Sequence, residues 1–141
     1  MEWEISEFKE EDRAELRKLY MDVRRETFGW LGPENRIKDT FDIDTKGEDL
    51  IVAKVEDRIV GFVSVWLPDN FIHHLYIKRA YQGKGLGRDL VNTVKSRIKG
   101  TLALKCMEGN LSAVKFYQKT GWKMKSKGIS EHGVYILFEL D

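Results

Sequence analysis

Phe71-Ile72-His73-His74-Leu75-Tyr76-Ile77, followed a few residues on by Tyr81-Gln82-Gly83-Lys84-Gly85-Leu86-Gly87-Arg88, is the stretch that orders the rest of the chain. The first run is apolar and aromatic apart from two histidines, and it reads as a strand. Leu86, Leu90, Val91, Val94 and Ile98 recur at helical spacing, which predicts a helix from Leu86 to Ile98. A glycine-rich turn therefore joins the carboxyl end of a strand to the amino end of a helix. The first N–H groups of that helix lack intrahelical acceptors, and its dipole is positive there. Glycines let the backbone close on an anion, and Lys84 and Arg88 add full charges. The turn reads as a cradle for a diphosphate.

Known phosphate motifs narrow the choice of diphosphate. A nucleotide P-loop needs Gly-Lys-Ser/Thr, but Gly83-Lys84 is followed by Gly85, so that reading fails. The dinucleotide fingerprint G-x-G-x-x-G starts at Gly83 and Gly85 and then meets Arg88 where its last glycine belongs. Gln-x-x-Gly-x-Gly does fit, at Gln82, Gly85 and Gly87. A second run, Asn110-Leu111-Ser112-Ala113-Val114-Lys115-Phe116-Tyr117-Gln118-Lys119-Thr120-Gly121-Trp122, lies one helix, one strand and a short loop further on. In this order and separation the two motifs resemble those of the GNAT N-acetyltransferase superfamily, and the resemblance covers nearly the whole chain.

At 141 residues the chain is expected to be one domain, 1–141. Lys and Arg number 24 against 23 Asp and Glu, a net charge of +1 that makes no case for a nucleic-acid partner. The local basic cluster of Lys78, Arg79, Lys84, Arg88, Lys95, Arg97 and Lys99 is either a solvated face or, near the turn, an attraction for phosphates. With one cysteine, Cys106, no internal disulfide can form. No apolar run approaches the roughly 20 residues of a membrane span, and no signal run opens the chain. A soluble, cytoplasmic protein is expected, as a monomer or a homodimer.

Taken in order, Trp3 to Phe8 is a short strand. An acidic run, Lys9-Glu10-Glu11-Asp12, opens a helix with Leu16, Leu19, Tyr20 and Val23 on its apolar stripe. A short helix is expected over 33–38, with Pro33 in its first turn. Asp49–Val55 and Arg58–Leu67 form a hairpin that continues into the central strand. Thr101–Cys106 is a strand reached through a helical crossover, hence parallel to the central one. Ser112–Thr120 is a helix stopped by Gly121. Trp122–Lys125 and Val134–Leu140 make a last hairpin around Ser130-Glu131-His132-Gly133. The order βα(α)βββαβαββ is that of the α/β (mixed α+β) GNAT fold, with six to seven strands in one mixed sheet and about four helices.

The resemblance implies an enzyme moving an acetyl group from acetyl-CoA to a primary amine, on a small molecule, an amino acid or a peptide, in a ternary complex and without a metal. The backbone from Gly83 to Arg88 would hold the pyrophosphate, and Gln82, Lys84, Leu86 and Gly87 belong to the same motif. Pantetheine would pair with Leu75, Tyr76 and Ile77 where the central strand splays from its parallel neighbour, and the Leu75 N–H would polarise the acetyl carbonyl. Asn110 would bond the pantetheine or phosphate arm, or else serve as a turn residue before its helix. Tyr117 would protonate the departing thiolate, or else be a core aromatic beside Phe116. Phe28 and Trp30 would border the acceptor.

The base is the open question. Strand alternation places His73 and His74 on opposite faces, with His73 on the face of Leu75. Such an opposed pair is a poor candidate for a shared zinc ion. Histidine's ordinary pKa of about 6.5 suits proton removal near neutrality. His73 matches in register a histidine that arylalkylamine members carry; many other members have a glutamate two residues earlier, where this chain has Phe71. His73, His74 and no dedicated base all stay open. Cys106 reads as a strand residue rather than a nucleophile. Two further readings stand beside the enzyme: a non-catalytic acyl-CoA-binding domain, and a nucleotide-binding regulator.

Overall fold

Seven strands pair into a single mixed sheet. The computed structural model describes residues 2–28 and 39–141. The strands are β1 (Glu4–Glu7), β2 (Asp49–Val55), β3 (Arg58–Trp66), β4 (Phe71–Ile77), β5 (Leu102–Met107), β6 (Lys123–Ser130) and β7 (Gly133–Leu140), and they lie side by side in the order β1-β2-β3-β4-β5-β7-β6. The helices among the described residues are α1 (Arg13–Phe28), the single turn α2 (Phe41–Asp44), α3 (Leu86–Arg97) and α4 (Leu111–Lys119). The helix expected over 33–38 lies outside the described residues, as do Trp30 and the side chain of Phe28. Only β4 and β5 run parallel, joined through the α3 crossover; every other neighbouring pair is antiparallel. Among the described residues no helix is long and apolar enough to cross a membrane.

The sheet is apolar on both faces, which divides the core in two. Leu86, Leu90, Val91 and Val94 of α3 and Tyr117 of α4 pack with Ile51, Val63, Ile72, Leu104 and Phe138 on one face. Leu16, Leu19, Tyr20 and Val23 of α1 pack with Phe41, Val52, Ile59 and Phe62 on the other. The predicted stripe of α1 is buried, as are Leu86, Leu90, Val91 and Val94 of the α3 stripe, while Ile98 is half-buried and leaves the helix in extended backbone.

Two boundaries differ from the sequence reading by more than one residue. Glu10–Asp12 forms a 3-10 turn instead of the first turn of α1. Asp12 is buried there, accepting from the Lys9 N–H at 3.0 Å and from Lys54 Nζ at 2.8 Å, so the chain enters α1 tied to β2. The last hairpin is longer than Trp122–Lys125 implied: β6 runs to Ser130 and the turn shrinks to Glu131-His132. β6 is an edge strand exposed along almost its full length, so it carries little apolar alternation, and its extent is set by pairing with β7.

The β2–β3 hairpin has a two-residue turn, because Val55 pairs with Arg58. Glu56 and Asp57 both take left-handed backbone, at φ 51° and 65°. This is the type I′ arrangement that Asn-Gly adopts with least strain. Replacing Glu56 by Asn and Asp57 by Gly together is expected to stabilise the fold by about 1 kcal/mol. The check is a thermal melt, in which the midpoint rises by a few degrees.

Candidate active site

β4 and β5 pair at only two positions, Phe71 with Ala103 and Ile72 with Leu104, although both strands run on well beyond. β4 stays paired to β3 as far as Ile77, and β5 to β7 as far as Met107. The two parallel strands therefore part after Ile72, and the edge of β4 from His73 onward is left without β5. This is the splay that the resemblance implied, and it opens at Leu75 and Tyr76.

The glycine turn stands at the mouth of this opening. Asp89 is the first residue of α3 whose N–H finds a helical acceptor, Gly85 O at 3.1 Å, so the amides of Leu86, Gly87 and Arg88 precede the helical bonding pattern. Gly83 and Gly85 take φ of 75° and 95°, and a Cβ built on either would meet nothing within 4 Å. The space above the turn is open, and the residues present fit a diphosphate there. Lys84 and Arg88 lie beside it, both exposed. Gly87 serves packing instead. A Cβ there would meet Phe116 Cζ at 3.0 Å, so this glycine lets α3 and α4 close on each other. Gln82 braces the turn. Its Nε2 donates to Ile77 O at 2.9 Å and its own N–H to Arg79 O at 3.2 Å, which leaves the cradle to the amides that follow.

Alternation does not hold through β4. Val63 faces Leu75 and Ser64 faces His74, but the next residue, Val65, faces Ile72. His73 is an extra residue, a bulge. Ile72, Leu75 and Ile77 consequently share the α3/α4 face, while Tyr76 packs on the α1 face, where His74 meets Tyr20 and Phe62. The expectation that His73 lies on Leu75's face and opposite His74 is thus corrected. Both histidines approach one carboxylate: Glu48 Oε2 is in contact with His73 Nδ1, and Glu48 Oε1 lies 3.9 Å from His74 Nδ1. The two rings are therefore not kept apart by opposed faces. Among the described residues, however, no group of three or more His, Cys, Asp or Glu side chains is placed to hold a metal ion.

His74 sits in a directed chain of hydrogen bonds. Ser64 Oγ lies 2.7 Å from His74 Nδ1, and His74 Nε2 lies 3.4 Å from Tyr20 OH. Tyr20 OH donates to Asp44, which also accepts from Thr40 Oγ at 2.6 Å. Arg24 Nη1 donates to Tyr20 OH at 3.2 Å. Since the Tyr20 proton goes to Asp44, its oxygen accepts from His74 Nε2–H, and Nδ1 accepts from Ser64. Burial, and next the bond to Asp44, push the Tyr20 phenol well above its usual range, so it remains a donor. Burial lowers His74 to about 4, aided by His73 and Arg24 and opposed by Asp44. His74 is a neutral, engaged imidazole at neutral pH. Tyr20, Arg24, Asp44, Glu48 and Ser64 carry no sequence signal of a site. They come from α1, α2, the turn before β2, and β3, and beyond the i,i+4 pair Tyr20 and Arg24 no spacing links them; Gly47 before Glu48 is the one other local cue.

Tyr117 is 9% exposed, its ring against Trp122 at 5.6 Å and Phe138 at 5.5 Å. Burial first, then the nearby Cys106 and Tyr76, raise its phenol well above its usual range, so it holds its proton. Asn110 is the N-cap of α4, its Oδ1 accepting from the Ala113 N–H at 3.4 Å. Cys106 is buried on β5, and burial pushes its thiol up to about 11, which disfavours the thiolate. A cleft of about 520 Å³ beside Glu7, Arg13, Asp42, Lys46 and Arg97 contains no residue of β4 or of the glycine turn.

These features converge with the comparisons to known proteins. A family model described as an acetyltransferase (GNAT) domain matches residues 20–137, and the chain belongs to that family. Its structure is similar to the apo form of YjaB from Escherichia coli, with 26% identity, a TM-score of 0.74, and coverage of 99% of this chain and 96% of that one. It is also similar to the PaiA N-acetyltransferase of Thermoplasma acidophilum in complex with coenzyme A, with 19% identity, a TM-score of 0.78 and coverage of 99% and 98%. YncA from Salmonella typhimurium with acetyl-CoA gives 15% identity, a TM-score of 0.73 and coverage of 99% and 93%. At such identities the last two are evidence for the fold alone. No curated protein sequence matched the chain. The α/β GNAT fold read from the two motifs is the fold observed.

The lowered pKa of His74 has a consequence for stability. Between pH 6.5 and 4 the unfolded chain protonates this ring while the native one does not, so stability falls as pH drops through that window. At pH 5 the loss from this group is about 2 kcal/mol. Denaturant titrations at pH 7 and pH 5 should show the His74→Gln variant losing less stability between the two than the wild type, by about that amount.

Proposed function

We propose that the chain acetylates a primary amine with acetyl-CoA by direct attack in a ternary complex. The observation that carries this is the parting of β4 from β5 beside an open, positive-ended glycine turn. One is a slot for an extended amide-bearing arm, and the other a seat for a diphosphate. The thioester supplies an activated acetyl group; the protein's residues do the rest. Backbone amides from Gly83 to Arg88, with Lys84 and Arg88, hold the pyrophosphate. That remote grip positions the acetyl carbon and lowers the entropic part of the barrier. Leu75, Tyr76 and Ile77 offer their backbone to the pantetheine, and the Leu75 N–H meets the acetyl oxygen as charge develops on it. Ile77 O already accepts from Gln82, which leaves one of its two lone pairs for the arm. With its oxygen engaged in capping α4, Asn110 has its carboxamide N–H groups for the arm.

The acceptor arrives as an ammonium. With an ordinary pKa near 10.4, roughly one molecule in a few thousand is a free amine at pH 7. His73 is the base of choice: its side chain is 43% exposed, whereas that of His74 is 12% exposed and bonded at Nδ1 to Ser64. Tyr117 donates the proton that the leaving thiolate needs, a role its raised pKa permits because the phenol is neutral throughout the working range. A small molecule or a peptide can present the amine.

One observation favours a second reading, a non-catalytic acyl-CoA-binding domain: Tyr117 packs as a core aromatic. Release of CoA, measured across polyamines, amino acids, arylalkylamines, aminoglycosides and peptides, separates the two. An enzyme turns over at least one class, and Tyr117→Phe then lowers kcat by roughly tenfold to a hundredfold while the Kd for acetyl-CoA changes little. Tight acetyl-CoA binding with no CoA release from any amine would establish the second reading.

A further inference from the structure

Glu48 is a buried carboxylate that the mechanism above does not use. Its side chain is 2% exposed, one oxygen touches His73 Nδ1, and the other, Oε1, is buried with no hydrogen-bond partner among the described residues. A buried carboxylate lacking part of its hydrogen bonding is costly to hold, and a full positive charge beside it is the strongest compensation available. The neighbour able to acquire that charge is His73, since His74 is held neutral by burial and by its bonds to Ser64 and Tyr20.

The backbone that delivers Glu48 is built rather than loose. Thr45, itself buried, closes α2 with Oγ donating to Phe41 O at 2.8 Å. The Glu48 N–H donates to Thr45 O at 3.0 Å. Gly47 between them is left-handed at φ 79°, and a Cβ there would meet the Trp66 ring at 3.2 Å. This turn lies against the end of β3, level with the bulge of β4, because Asp49 pairs with Val65 and Val65 with Ile72. The bulge turns the His73 ring to the same face, so a left-handed turn and a bulged strand meet at one contact.

We propose that Glu48 is a positioning residue for His73, resting on the reading of His73 as the base. A carboxylate only accepts, so the shared proton sits on Nδ1 and the Nε2 lone pair is left free. As the amine attacks, the C–N bond forms and the C–S bond breaks. The proton leaving the amine nitrogen passes to His73 Nε2, and the thiolate takes its proton from Tyr117. Glu48 stays ionised and holds the imidazolium in place.

Three variants and two readouts test this. Glu48→Gln keeps the shape and an acceptor oxygen but removes the charge. Its kcat should fall by about tenfold to a hundredfold with the Kd for acetyl-CoA within about twofold, and Glu48→Asp should recover part of the loss. In a His73→Gln background Glu48→Gln should cost almost nothing further, because the two act as one unit. The second readout needs no turnover. Nitrogen-15 NMR of histidine-labelled free protein should find neutral His73 as the Nδ1–H tautomer, and Glu48→Ala should return it to the Nε2–H form that free imidazole prefers. Should Glu48→Ala fail to fold, the wild-type tautomer alone decides. An Nε2–H tautomer in the wild type overturns the proposal. So does an unchanged kcat in Glu48→Gln when His73→Gln is impaired, and in that case the base reading survives. An unchanged kcat in His73→Gln overturns the base reading itself.

Discussion

Two cross-strand pairs hold β4 to β5, while each strand is held along its length by a neighbour on its other side. That imbalance shapes the rest of the molecule. Antiparallel pairing with β3 fixes where β4 goes, pairing with β7 fixes where β5 goes, and the parallel contact between them is too short to close the gap. An interior sheet edge is exposed as a result. Unpaired N–H and C=O groups are a standing demand for hydrogen bonds, which a peptide-like arm can meet and apolar side chains cannot. The turn from Gly83 to Arg88 lies at the end of the same strand. Slot and cradle are thus parts of one continuous piece of chain, and Gln82 ties them together through Ile77 O.

The bulge at His73 gives the opening two chemically distinct sides. Leu75 and Ile77 look toward α3 and α4, the layer that contains Tyr117 and Cys106. The two histidines and Tyr76 meet groups from α1 and the turn before β2. In the proposed reaction the proton is therefore removed on one face of the sheet and supplied from the other. A regular strand would have placed His73 among the apolar residues of the α3/α4 layer, where an ionisable ring costs desolvation free energy and finds no carboxylate.

The polar chain through Ser64, His74, Tyr20 and Asp44 has a mainly structural role on this account. Each donor in it finds an acceptor, which is the condition for burying such groups at acceptable cost. It fixes α1 and α2 to the middle of the sheet, beside the residues that would meet the amine. It also separates the two histidines by environment: one is neutral and engaged, the other is at the surface with a carboxylate behind it.

Much of this was legible in the sequence because it is local. Strand and helix positions follow from alternation and helical spacing within single segments. The glycine turn follows from glycines at fixed offsets, and the pairing of Gln82-Gly85-Gly87 with Asn110-Tyr117 identified the family. What the sequence could not determine depends on one segment's relation to another. The bulge exists only as a mismatch between Ser64-Val65 and the run Ile72 to His74, so counting along β4 alone put His73 on the wrong face. Glu48 reaches His73 from the far side of an intervening strand. Gly87 is required by Phe116 of a different helix, and β6 extends as far as β7 pairs with it. Periodicity encodes which way a residue points relative to its own neighbours in the chain; register, bulges and buried charge pairs are set by tertiary packing, where strands separate in sequence compete for the same hydrogen bonds.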